Sequence, residues 1–163
     1  MKLKLLLAIA FLSLLLGSAD AAVTANSAVT AQTPTEGRVQ FLQGTDSAGT
    51  YKTLYTAGAN GSRCNALWST NNDASATHLL TCELVNGAVK YGGMAITSVV
   101  SAGYTTGNPA QNLLLPTVWT GLPSDSDGNP YIQMASGTTL QCTFATAITS
   151  SDKINIEASC ADF

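Results

Sequence analysis

The sequence predicts an all-β fold, an antiparallel β-sandwich of jelly-roll type, and three observations predict it. Short runs alternate apolar and polar residues with a period of two. Clusters of Gly, Asn, Ser and Pro separate these runs at close intervals. No stretch after Ala21 carries a convincing helical period. A closed β-barrel is the alternative.

In chain order, Met1 to Ala21 has Lys2 and Lys4, an apolar run from Leu5 to Leu16 broken by Ser13, then Ala19-Asp20-Ala21. This is the layout of a cleaved secretory signal peptide. An uncleaved anchor is the other reading, but the run is short for a membrane span. Residues 22–36 (AVTANSAVTAQTPTE) hold few large apolar side chains and read as a flexible arm. Such an arm can also add as a strand to a neighbour. Residues 37–163 are then one β-sandwich domain.

Strands are expected at Arg38–Gln43, Tyr51–Thr56, Ser62–Ser69, Thr77–Val85, Ala88–Tyr91, Met94–Val100, Tyr131–Met134, Thr138–Ile148 and Lys153–Cys160, while Leu113–Trp119 returns apolar but is broken by Pro116. Asn60-Gly61 and Asn86-Gly87 are strong turn signals. The alternation is cleanest near the end of the sequence. Leu140, Cys142, Phe144, Thr146 and Ile148 share one face, as do Ile154, Ile156, Ala158 and Cys160. Each set reads as the buried side of a strand.

Four cysteines in an exported chain point to two disulfides and an oxidising compartment. Cys82 follows Cys64 by eighteen residues, and Cys160 follows Cys142 by eighteen. Four cysteines permit three connectivities. Folding each pair of neighbouring strands as a hairpin sets Cys64 opposite Cys82 and Cys142 opposite Cys160. In the second hairpin that register also buries every large apolar residue, so two locally bridged hairpins are expected. The first is less clean, because Leu67 and Leu79 point away from the cysteine face.

Pro123 to Pro130 (PSDSDGNP) reads as a tight surface loop. Asp125, Asp127 and Asn129 in it could also offer oxygens to a calcium ion, although the twelfth position is Ser136 rather than Glu. No other cofactor is implied.

The whole chain carries a formal charge of −3. Without Lys2, Lys4 and Asp20 it keeps five basic and nine acidic residues. No basic patch is visible, which sets nucleic acid aside as a partner. No segment of the mature chain is a candidate transmembrane helix. His78 is the sole histidine, and it reads as structural. No G-x-S-x-G elbow, phosphate loop or dinucleotide fingerprint is present. Glu83 and Glu157 fall on expected solvent faces. Tyr51, Tyr55, Tyr91, Tyr104, Trp119 and Tyr131 are scattered candidates for stacking on a glycan.

One resemblance bears on function. Gln43 to Arg63 (QGTDSAGTYKTLYTAGANGSR) resembles the opening of small bacterial proteins found in phage and prophage settings. Leu122–Tyr131 (LPSDSDGNPY), Ala135–Gly137 with Leu140, and Ala161–Phe163 are similar to their ending. The resemblance implies a small β-sandwich with a structural role in a virion or particle, and no catalytic residues. The signal peptide and cysteines set this chain apart as an exported relative. The expectation is a non-enzymatic assembly protein of the cell exterior, with itself or another surface or particle protein as partner. The alternative is a secreted carbohydrate- or calcium-binding module.

Overall fold

Nine strands follow one another in the computed structural model, which describes residues 33–72, 78–100, 110–119, 121–148 and 153–163, with backbone alone over 91–100. They are β1 (Thr33–Leu42), β2 (Lys52–Thr56), β3 (Ser62–Asn71), β4 (His78–Asn86), β5 (Val89–Val100), β6 (Gln111–Asn112), β7 (Ile132–Met134), β8 (Thr139–Phe144) and β9 (Lys153–Asp162). The described residues hold no helix. The signal-peptide segment and most of the arm lie outside them. The arm's expected last residues, Thr33 to Glu36, belong to β1 and pair with β9.

The strands form two antiparallel sheets. One runs β1-β9-β3-β6, with β7 beside β6 on the same edge of β3, and the other runs β2-β8-β4-β5. This is jelly-roll order. Strands β8 and β9 occupy interior positions, one in each sheet. The arm β1–β2 flanks them on one side and the arm β3–β4 on the other. Each arm crosses from one sheet to the other as it goes.

That crossing overturns the two local hairpins expected from sequence. Strands β3 and β4 lie in different sheets, and so do β8 and β9. Cys64 stands opposite Cys160, and Cys82 opposite Cys142. The disulfides are Cys64–Cys160 and Cys82–Cys142, one inside each sheet. The matched spacing of eighteen has a different cause from hairpin closure. Arms β3–β4 and β8–β9 run side by side, so each needs the same length of chain between its two bridges.

The inner faces follow from alternation. Ile154, Ile156, Ala158 and Cys160 of β9 are buried, as are Leu140, Cys142 and Phe144 of β8. Phe41 of β1 meets Phe144 edge-on across the sandwich, ring centres 5.0 Å apart, a favoured aromatic geometry. In β3 the register shifts between Cys64 and Ala66. A bulge of this kind reverses which parity faces the core. Leu67 is therefore fully buried, while Trp68 turns to the outside. Leu79 stays exposed, as expected.

Two expected breaks are absorbed differently. Gly92-Gly93 does not end a strand; β5 runs through it, and the pairing skips there between Leu84–Tyr91 and Cys82–Met94. Glycine pairs in a strand suit such bulges. Leu113 to Trp119 breaks at Pro116 into a turn, since proline cannot donate to a ladder. Its Leu113, Leu114 and Trp119 still enter the core.

Gly37 marks where β1 passes closest to β2. A Cβ there would run into the Leu54 carbonyl. Only glycine allows that approach.

The bridges enclose long spans, with sequence separations of 96 and 60 residues. Loop closure gives each about 4 kcal/mol of stabilisation. Non-reducing peptide mapping is expected to recover Cys64–Cys160 and Cys82–Cys142 peptides. The double variant Cys82→Ser/Cys142→Ser should lose roughly 2–5 kcal/mol in urea unfolding; recovery of Cys64–Cys82 would return the hairpin arrangement.

Candidate functional site

The densest polar cluster lies at one end of the sandwich, around Asp162. Its position is set by alternation: Asp162 continues the inward parity of Ile154, Ile156, Ala158 and Cys160 in β9. A carboxylate in an apolar row needs partners. Ser62 of β3 and Tyr55 of β2 each donate a hydroxyl to Asp162 Oδ1, both at 2.5 Å. The Gly58 amide donates to the same oxygen at 3.2 Å. Thr35 of β1 donates to the Tyr55 hydroxyl at 2.9 Å. A side chain at Gly58 would collide with the Asp162 carboxylate. The cluster thus ties strand β2 of one sheet to β1, β3 and β9 of the other. The Ser62 and Tyr55 hydroxyls, and then the Gly58 amide, hold the Asp162 carboxyl below the usual carboxylate range, against the effect of burial.

The Pro123–Pro130 loop is built on Asp125. Its Oδ1 accepts the Asp127 and Asn129 backbone amides at 3.0 and 2.8 Å. Its Oδ2 accepts from Arg63 at 3.2 Å and from the Asn129 side chain at 3.5 Å. The Asn129 amide leads in pulling the Asp125 pKa down, with Asp127 and the Arg63 charge adding to it. Arg63 also lies over the Tyr131 ring, 3.9 Å from its centre, as guanidinium groups favour. Asp125 and Asn129 are brought together, with Asp127 contributing its backbone amide. Among the described residues no group of three His, Cys, Asp or Glu side chains is placed to hold a metal.

Glu83 departs from its expected solvent face. It is only 4% exposed, held by the Gln141 amide at 2.6 Å and the Lys90 ammonium at 3.0 Å. Lys90 in turn lies 5.2 Å from the centre of the Tyr51 ring. His78 is buried, with Nδ1 3.0 Å from the Thr146 hydroxyl and its ring edge-on to Phe144. Tyr55 and Trp119 are buried too, so neither is open for stacking on a glycan; Tyr104 lies outside the described residues, and Tyr91 is described in its backbone alone.

No family model matches the chain, and no curated protein is significantly similar to it. Two solved structures are similar in chain path. One is described as the cyanophage Pam1 capsid asymmetric unit, at 12% identity and a TM-score of 0.40, covering 88% of this chain and 99% of that one. The other is described as the acidic stable capsid structure of Helicobacter pylori bacteriophage KHP30, at 9% identity and a TM-score of 0.38, covering 80% of this chain and 88% of that one.

On the outer face of the first sheet, cross-strand rows are legible from register. Arg38, Glu157, Trp68 and Asn112 form one row, and Gln40, Asn155 and Thr70 the next. Gln40 donates to Asn155 at 2.6 Å, and Asn155 to Thr70 at 3.1 Å. Trp68 stands 38% exposed among them. Two features therefore escaped the sequence reading. The parity of Asp162 was a usable signal for the first. The bulge at Cys64/Ala66 hid the second, since no residue in Cys64-Asn65-Ala66 announces it.

Because folding depresses the Asp162 pKa, its stabilisation is complete above the ordinary carboxylate range and is lost as pH falls through the lowered value. Asp162→Asn should lower stability by on the order of 1 kcal/mol near neutral pH, an amount that allows for solvent screening. The gap between variant and parent in thermal unfolding should narrow below pH ~4. A gap that stays constant across that range would remove the charged clamp.

Proposed function

We propose that this chain is an exported, non-enzymatic structural protein that works by assembly or surface contact. The observation that carries the reading is where its polar chemistry has gone. Asp162 joins the sheets, Asp125 shapes a loop, Glu83 seats Lys90 and Gln141, and His78 sits against Thr146 and Phe144. Each of these groups is committed to holding a strand or a turn. A polar group so committed serves the scaffold rather than a reaction.

The disulfides add to this. Two bridges in a jelly roll of this size fit an oxidising, non-cytoplasmic compartment. Among the described residues no helix is long and apolar enough to cross a membrane. The partner is a second copy or another surface or particle protein. A calcium ion at Asp125 would have to compete with the Arg63 guanidinium and three loop N–H donors for the same two oxygens.

Light scattering on a sizing column, with protein exported to the periplasm, is expected to show a defined oligomer or particle. A monomer at every concentration that also binds no particle or surface would sink the assembly reading. Millimolar calcium is expected to leave both the elution position and the thermal midpoint unchanged. A clear rise in the midpoint, abolished by Asp125→Asn, would instead establish the loop as a calcium site.

A further inference from the structure

The outer face of the β1-β9-β3-β6 sheet holds a recess of about 220 Å3 lined by Trp68, Ser69, Thr70, Ala110, Asn155 and Glu157. Its wall joins an aromatic face to several hydrogen-bonding groups. Of the two tryptophans, Trp119 is buried, while Trp68 presents its indole to solvent. The polar side chains beside it are already oriented. Asn155 is held at both ends of its amide, by Gln40 and by Thr70. That leaves one Asn155 N–H and the Thr70 hydroxyl proton able to meet a ligand. Glu157 is half exposed, and among the described residues its ion-pair partner is Arg38 at 3.8 Å. Its carboxylate keeps acceptor capacity for further hydrogen bonds.

We propose that this recess binds a neutral saccharide, with one sugar ring stacked on Trp68 and its hydroxyls bonded to Glu157, Asn155 and Thr70. The chemistry selects that class. The apolar C–H face of a pyranose suits an indole, and its rim of adjacent hydroxyls suits a carboxylate beside an amide. A purely apolar ligand would strip water from the Glu157 carboxylate and the remaining Asn155 N–H and offer no hydrogen bond in its place. An acidic sugar or a nucleotide would meet the Glu157 charge on a chain that is acidic overall, at −3. The recess is smaller than the roughly 300–1,000 Å3 of sites for drug-sized ligands. It accepts one ring, and further units of a longer glycan would lie along the polar row. This goes beyond the assembly reading and stands independently of it.

The test is a titration of the exported protein with neutral oligosaccharides of glucose, N-acetylglucosamine, mannose and galactose. Tryptophan emission and calorimetry are read together. At least one series is expected to give a saturable change in emission with matching heat. Trp68→Ala should abolish both, with an unchanged far-UV circular dichroism spectrum. Trp68→Tyr should retain weaker binding. Glu157→Gln should weaken it about tenfold, as loss of a charge-assisted hydrogen bond does. Silence across the panel, or binding that survives Trp68→Ala, would overturn the site. So would Trp68 emission that changes with protein concentration alone, which would place a second copy on this face. The sizing result bears on assembly and leaves this outcome untouched.

Discussion

Two buried disulfides fasten one antiparallel ribbon at two points, and the sandwich is organised around that ribbon. Cys64–Cys160 lies in one sheet and Cys82–Cys142 in the other. Between them, β3–β4 and β8–β9 leave the first sheet and enter the second together. Equal arms are what allow both bridges to form in register. An insertion of one residue in either arm would turn an inward row outward. The second flank, β1–β2, repeats the pairing against the other side of β9 and β8. Strands β8 and β9, each paired with both flanks, therefore carry the ordered core rows of Leu140, Cys142 and Phe144, and of Ile154, Ile156 and Ala158.

The faces of β8 and β9 were legible because alternation is local. A residue's parity depends on its own strand. The choice of partner was not legible for the opposite reason. Neighbouring strands pair often, and a short connection lowers the entropy of closing them. Here burial of both sheets' inner faces outweighs that local advantage, and consecutive strands separate into different sheets. The equal cysteine spacing fits local pairing and nested pairing alike, so it could not decide between them. At β3 the bulge after Cys64 changed the face of every later residue, which placed Leu67 inside and Trp68 outside. At β5 the two glycines that suggested an end became a kink within one strand. The compositional reading of fold class survives all of these changes, because it rests on period and turns and not on pairing.

The polar groups follow a related logic. Asp162 is tolerable on an inward row because three donors reach one of its oxygens. Those donors come from both sheets, so a charge that would have been a defect becomes a clasp. Asp125 serves its loop in the same way, with Arg63 supplying the countercharge from β3. Glu83 could be read as an ordinary surface charge from sequence. Its neighbours Gln141 and Lys90 lie far away along the chain, or across a bulge, and only the sheet brings them over it.

These constraints also say where contact with another molecule is possible. Strand β1 forms an edge, and a long open edge invites an added strand. Here the end of the edge from Gln40 to Leu42 is occupied. The Lys52 ammonium donates to the Gln40 carbonyl at 2.7 Å. The Leu42 amide donates to Asp46, and the Asp46 amide returns to the Leu42 carbonyl. Lys52 and Asp46 pair with each other at 2.7 Å. Gly37 brings the strand against the Leu54 carbonyl of β2. A strand arriving on this side would have to displace those bonds before gaining its own. The outer face of the same sheet asks no such cost. Its polar rows are exposed and ordered, with an indole among them. Recognition by this sheet is therefore favoured through its face and not through the Gln40–Leu42 end of the β1 edge.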